Sequence, residues 1–155
     1  MAEEREGAYL QIGEVAERTG VTQRTLRFYE EKGLLKPPTR MEGGFRLYSE
    51  EDVRRVLRIR RLRDLLGFTL AEIKEMVEAD EVKMQLRAEY RKDADAEEKR
   101  RQIQRAKEVT EKQLALVRRK MEQLAELQRS LEEKIATYDG WLGELDRYIA
   151  SRAGR

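Results

Sequence analysis

Apolar residues recur along this chain in short clusters whose period switches from helical to extended and back. Ile12, Val15 and Ala16 fall at i, i+3 and i+4 and predict a short amphipathic helix over 10–19 that Gly20 closes. Val21 then turns inward. Thr22 suits the N-cap of a second helix reaching Lys32, because its hydroxyl can accept a bond from an unpaired backbone N–H, and Gly33 supplies the left-handed stop. Pro37 and Pro38 exclude helix, and the Gly-Gly turn after Glu42, between Arg40 and Phe45 to Tyr48, predicts a two-stranded hairpin. Ser49 with Asp52, and Thr69 with Glu72, have the spacing of capping boxes. The helices they open carry inner stripes of Val53, Val56, Leu57, Leu62, Leu65 and Leu66, ended by Gly67, and of Leu70, Ile73, Met76 and Val77.

Further along, 80–94 turns acidic and polar and predicts a linker, with Val82, Leu86 and Tyr90 spaced for a short helix inside it. From 95 to 139 there is neither Pro nor Gly, and Leu114, Val117, Met121, Leu124, Leu131, Ile135 and Tyr138 follow steps of three and four interrupted once by Gln128. That is a heptad seam on a helix of about 65 Å, which a lone helix cannot bury. Asp139 and Gly140 are expected to break the helix, leaving Trp141, Leu142, Leu145, Tyr148 and Ile149 on a short amphipathic helix that folds back. The expected division is a head over 8–79, a linker over 80–94, a dimerisation helix over 95–139 and a C-terminal helix and tail over 140–155. The fold class is mainly α, with a small β wing on a helix-turn-helix head.

Composition narrows what such a molecule can do. With 155 residues, 39% hydrophobic and 41% charged, the chain can bury one modest core beside an extended helical part. No run is long and apolar enough for a membrane span and no secretory signal opens the chain, so a cytoplasmic protein is expected. The absence of Cys and His removes disulfides, thiolate and imidazole metal ligands and the usual nucleophilic pairs, so neither an enzyme, a metal site nor a resident cofactor is expected. Charge is segregated: 22–63 holds 12 Lys/Arg against 6 Asp/Glu, and 64–98 holds 5 against 11. A basic block of this kind places an anion-binding surface on one part of the molecule.

Helix, glycine turn, helix and arginine-bearing hairpin together point to double-stranded DNA as partner. In a helix-turn-helix the second helix enters the major groove with its N-terminal side chains at base edges. Here those are Thr22, Gln23, Arg24 and Thr25. Arg24 can give two donors to guanine and Gln23 can pair with adenine or point into solvent, while Arg27, one turn on, suits phosphate. Arg40 and Arg46 flank the hairpin, and the Tyr29 and Tyr48 hydroxyls are either phosphate donors or satisfied core groups. The arginines between Arg54 and Arg63 read as a solvated face with one or two members near phosphate, and Glu30 and Glu31 as ordinary surface residues.

The runs Ile12-Gly-Glu-Val-Ala16, Gly20-Val-Thr22, Thr25-Leu-Arg-Phe-Tyr-Glu30, Gly33-Leu-Leu35, Arg40, Gly44-Phe-Arg-Leu-Tyr48 and Leu66-Gly-Phe-Thr-Leu-Ala-Glu-Ile73 resemble the MerR family of bacterial transcription regulators. The likeness covers about the first half of the chain. It implies a homodimer joined by an antiparallel coiled coil, binding a palindromic promoter operator and bending and undertwisting it so that RNA polymerase can engage. It also implies base or groove contacts from Arg24 and its neighbours and phosphate contacts from Arg27, Tyr29, Arg40, Arg46 and Tyr48. Phe45 stands where the family often has a wing-tip tyrosine. Without cysteine, the metal-sensing and redox-sensing branches are excluded. Any effector would meet an aromatic wall of Tyr90, Tyr138, Trp141 and Tyr148, unless those rings simply pack at the dimer seam. An architectural or recombination DNA-bending factor and a coiled-coil protein-interaction module are the competing functions.

Overall fold

A computed structural model describes residues 9–36, 40–43 and 45–154, with the backbone alone for 40–42. The expectations for 1–7, for Pro37 and Pro38 and for Gly44 fall outside the described residues. The chain divides into two compact units, Met1–Gln113 and Leu114–Arg155.

The first unit opens with β1 (Leu10–Gln11), α1 (Ile12–Thr19) and α2 (Gln23–Glu31). Gly20 stops α1 at φ 71°, its N–H bonded to the Ala16 carbonyl at 2.9 Å. Thr22 caps α2, its hydroxyl accepting from the Thr25 N–H at 3.1 Å. Next come β2 (Arg40–Glu42) and β3 (Phe45–Tyr48). The sheet has three strands in the order β1-β3-β2, all antiparallel, with Leu10 opposite Tyr48 and Arg40 opposite Leu47. The hairpin is thus not free: β1, which is too short to show a period, ties it to the start of α1.

Helix α3 (Glu50–Asp64) and helix α4 (Leu70–Glu89) both begin with complete capping boxes, Ser49 with Asp52 and Thr69 with Glu72. Val15, Leu26, Leu34, Leu35, Val53, Val56, Ile59, Leu62, Ile73 and Val77 form the core of this unit. The inner stripe of α3 differs from expectation. Ile59 is fully buried, whereas Leu57, off the face formed by Val53, Val56, Ile59 and Leu62, is 43% exposed, and Leu65 and Leu66, beyond the helix end at Asp64, are 75% and 55% exposed.

The expected 80–94 linker is corrected: α4 continues to Glu89, leaving a connection of only a few residues before α5 (Ala96–Ala153). Its acidic residues are partners rather than spacers. Asp80 bonds Arg58, and Glu81 pairs with Lys36 and Arg55. The beginning of α5 also belongs to this unit. Buried Gln113 donates to the Met76 carbonyl at 3.1 Å and to Asp80 at 2.9 Å, and accepts from Lys83 at 2.6 Å.

The second unit is the remainder of α5. No break occurs at Asp139 and Gly140; both Gly140 and Gly143 are helical. A glycine costs a helix interior only about 1 kcal/mol relative to alanine, too little to interrupt a long cooperative helix. Continuity has a consequence for the seam. Leu114, Val117, Met121, Leu124, Gln128, Leu131, Ile135, Tyr138, Leu142, Leu145 and Ile149 now form one unbroken run of three-four steps, about 53 Å of helix at about 1.5 Å per residue. From Leu114 to Ile149 its large apolar members are 43–65% exposed.

Candidate nucleic-acid interface

Amphipathicity gives α2 one buried and one exposed face. Leu26 and Tyr29 face the core at 0% and 1% exposure, which turns Gln23, Arg24 and Arg27 outward. Among the described residues Arg24 and Arg27 have no side-chain hydrogen bond or ion pair, and both are exposed. Thr22 and Thr25 are partly committed, their hydroxyls sharing a 2.8 Å bond within the cap.

The two tyrosine hydroxyls are engaged differently. Tyr48 is completely buried, and its hydroxyl donates to Glu30 Oε1 at 2.6 Å. Burial raises its ionisation above the ordinary phenol value, and the neighbouring Glu30 carboxylate raises it further. Tyr29 is buried with its hydroxyl accepting from Arg63 Nη1 at 3.3 Å. Both rings are core residues; the Tyr48 proton is spent on Glu30, whereas Tyr29 accepts from Arg63 and keeps its own proton to donate.

Glu30, expected on the surface, is instead a clamp. Its side chain is 7% exposed; one oxygen takes the Tyr48 hydroxyl and the other the Arg46 guanidinium. Arg46 remains 50% exposed, so part of its fork still faces outward. Arg40 lies opposite Leu47 in β2, across the hairpin from the Arg46 strand.

The α3 arginines also differ from a plain solvated face. Arg55 Nε donates to the Leu34 carbonyl at 3.0 Å and Arg60 Nη1 to the Thr19 carbonyl at 2.5 Å. Arg60 thereby places a cation at the C-terminus of α1, where helix carbonyls are unpaired. At the other end of the same contact, Arg18 makes a two-pronged bridge to Glu50 at 2.6 and 2.9 Å, which lowers the Glu50 carboxyl below its usual range. Arg54 and Arg61 stay exposed. Sequence spacing could not single out Arg55, Arg60 or Glu30, because each finds its partner from 16 to 41 residues away.

The seven seam residues Leu114, Val117, Met121, Leu124, Leu131, Ile135 and Tyr138 lie along α5 in the second unit, as the spacing requires. Of the candidate effector wall, Tyr90 belongs to the first unit and the other three rings to the second. Tyr138 and Trp141 stack obliquely at 5.7 Å, and Tyr148 lies beneath the Arg152 guanidinium. Tyr138, Trp141 and Tyr148 lie on one continuous helix and are exposed. Among the described residues no cluster of acidic side chains is arranged to hold a metal ion, and no helix is long and apolar enough to cross a membrane.

The profile of the MerR HTH family regulatory proteins matches residues 10–80, from β1 into α4. The HTH-type transcriptional regulator YfmP of Bacillus subtilis (strain 168) is 33% identical over 144 residues, covering 92% of this chain and 97% of that protein. The chain belongs to the MerR family. Among solved structures, a Listeria monocytogenes protein assigned to the MerR family is similar at TM-score 0.58 and 26% identity, over 92% of this chain and 98% of that one. HiNmlR, a MerR family regulator lacking the sensor domain and solved bound to promoter DNA, is similar at TM-score 0.50 and 25% identity, over 84% of this chain and 90% of its own. MerR proteins are DNA-binding transcription regulators and not enzymes. The family assignment identifies the α1–α2 pair as the helix-turn-helix of such a regulator, with β2 and β3 as its wing.

Proposed function

We propose that this MerR-family regulator works as a homodimer on a palindromic promoter operator, each head placing the first turn of α2 in a major groove. Arg24 reads guanine, Gln23 and Thr25 adjust groove contacts, and Arg27, Arg40 and Arg46 neutralise phosphates. The second unit pairs with its counterpart as an antiparallel coiled coil. Two heads held by such a stem bend and undertwist the duplex between their half-sites, which brings separated promoter elements within reach of RNA polymerase.

One observation carries this: Arg24 and Arg27, exposed on α2 and without a side-chain partner among the described residues, occur in the same chain as an apolar seam whose large members are exposed from Leu114 to Ile149. A seam of that length is costly in water at about 25 cal/mol per Å² of apolar surface, and a second copy covers it. The HiNmlR likeness supports DNA as the ligand of the head. The exposed rings at 138, 141 and 148 are assigned to packing within the dimer seam.

Selection from a pool of random duplexes tests the proposal. A two-fold symmetric site is expected, with Arg24→Ala weakening binding by about 1–3 kcal/mol and relaxing preference at one position per half-site. Recovery of no preferred sequence, or equal loss on every duplex, would remove Arg24 as a base reader. A phasing assay on the selected site then reports bending directly, and a straight duplex in the complex would contradict the distortion step.

A further inference from the structure

Glu30 presents an electrostatic puzzle for a nucleic-acid-binding face. It is a carboxylate on the recognition helix itself, 7% exposed, in a region meant to approach a polyanion. Buried charges persist where they are paired and hydrogen-bonded, and both Glu30 oxygens are occupied from one strand, by Tyr48 and by Arg46. Those two residues are two apart on β3, so they present to the same side of the sheet. Tyr48 is fixed in turn by its pairing with Leu10 and by complete burial. A single carboxylate therefore joins the last turn of α2 to the wing strand at two points and sets the direction of a half-exposed guanidinium.

We propose that Glu30 is a positioning residue that locks the recognition helix to the wing, so that Arg46 is already aimed at the DNA backbone when the first turn of α2 enters the groove. This rests on the DNA-binding assignment made above. The physical benefit is preorganisation: an arginine held by one edge of its fork loses less side-chain freedom on meeting phosphate with the other edge. The arrangement also explains why a negative charge is tolerated there. Arg46 neutralises it before DNA arrives, and the carboxylate's effect is expressed through that arginine.

A lock and a bare charge make opposite predictions. Were Glu30 only a charge near phosphate, removing it would tighten binding and steepen the salt dependence. As a lock, its removal weakens binding. The test measures affinity for a selected duplex against salt concentration for the wild type and for Glu30→Gln, Glu30→Ala, Arg46→Ala, Glu30→Ala with Arg46→Ala, and Arg24→Ala, each checked for folding by thermal melting. Glu30→Ala and Arg46→Ala are each expected to weaken binding about tenfold and to lower the salt slope by about one, with the double variant no worse than either alone. Glu30→Gln keeps one acceptor oxygen and puts an amide NH2 donor where the other oxygen stood, so it can hold one of the two partners and is expected to fall between wild type and Glu30→Ala. If Glu30→Ala does not fold, the sign for Glu30→Gln decides. Tighter binding by either Glu30 variant, or independent losses in the double variant, overturns the lock while loss in Arg24→Ala leaves the DNA assignment standing. A wild-type protein that binds no duplex overturns both.

Discussion

Replacing Gly20 by alanine probes the joint that sets the recognition helix. Gly20 sits at φ 71°, and a β-carbon there would lie 2.6 Å from Arg60 Nη1. The left-handed conformation alone costs a non-glycine residue about 1–2 kcal/mol. The guanidinium is the far end of a flexible chain and can swing aside, so the second cost is its bond to the Thr19 carbonyl. Since the Arg60 side chain is 47% exposed, that bond is discounted to about 0.5–1.5 kcal/mol. Gly20→Ala should therefore cost about 1.5–3.5 kcal/mol in urea denaturation at fixed protein concentration, against about 1–2 kcal/mol in an Arg60→Ala background. Equal costs in the two backgrounds would show that Arg60 does not brace the turn. DNA affinity should fall further than stability predicts, because the turn fixes how α2 leaves α1.

Other expectations concern the stem, the cap and pH. Gly140→Ala and Gly143→Ala should each stabilise the protein by about 0.5–1 kcal/mol in thermal melts, as both sites are helical with open space around them; destabilisation would restore a break at that point. Glutamates at Leu124 and Leu131 should give monomers in sedimentation that lose high-affinity binding to a two-half-site duplex, and persistent dimers would remove the stem from the account. Ser49→Ala should cost about 1 kcal/mol of stability, and no change in the urea midpoint would contradict the capping box. Tyr48 keeps its proton more tightly when folded, so its contribution is fully present below the unfolded phenol value and is lost as pH rises through the folded one. Stability should then decline from about pH 10 upward, less steeply in Tyr48→Phe, and identical alkaline profiles would contradict the burial of that hydroxyl.

What the sequence disclosed was local. Thr22, Ser49 with Asp52 and Thr69 with Glu72 form the expected caps because a cap spans only three residues. The heptad seam is equally local in its spacing. Errors arose where tertiary partners or cooperativity decide. Residues 80–89 resemble a linker by composition, yet their acids are drawn into helix by arginines and a lysine more than twenty residues upstream. Gly140 has the look of a stop, but the cost of one glycine is spread over a long helix. Strand β1 is invisible until β3 lies beside it. At the site, outward Arg24 and Arg27 were readable from the periodicity that buries Leu26 and Tyr29. The roles of Glu30, Tyr48 and Arg60 were not, since each depends on a partner brought close by the fold.

The central claim is that one duplex is held by two chains at once. Sedimentation equilibrium of the protein with its selected duplex measures this stoichiometry directly. Two chains per duplex are predicted, with half-sites separated by a whole number of helical turns, about 34–36 Å each. A saturated complex of one chain per duplex would contradict the account.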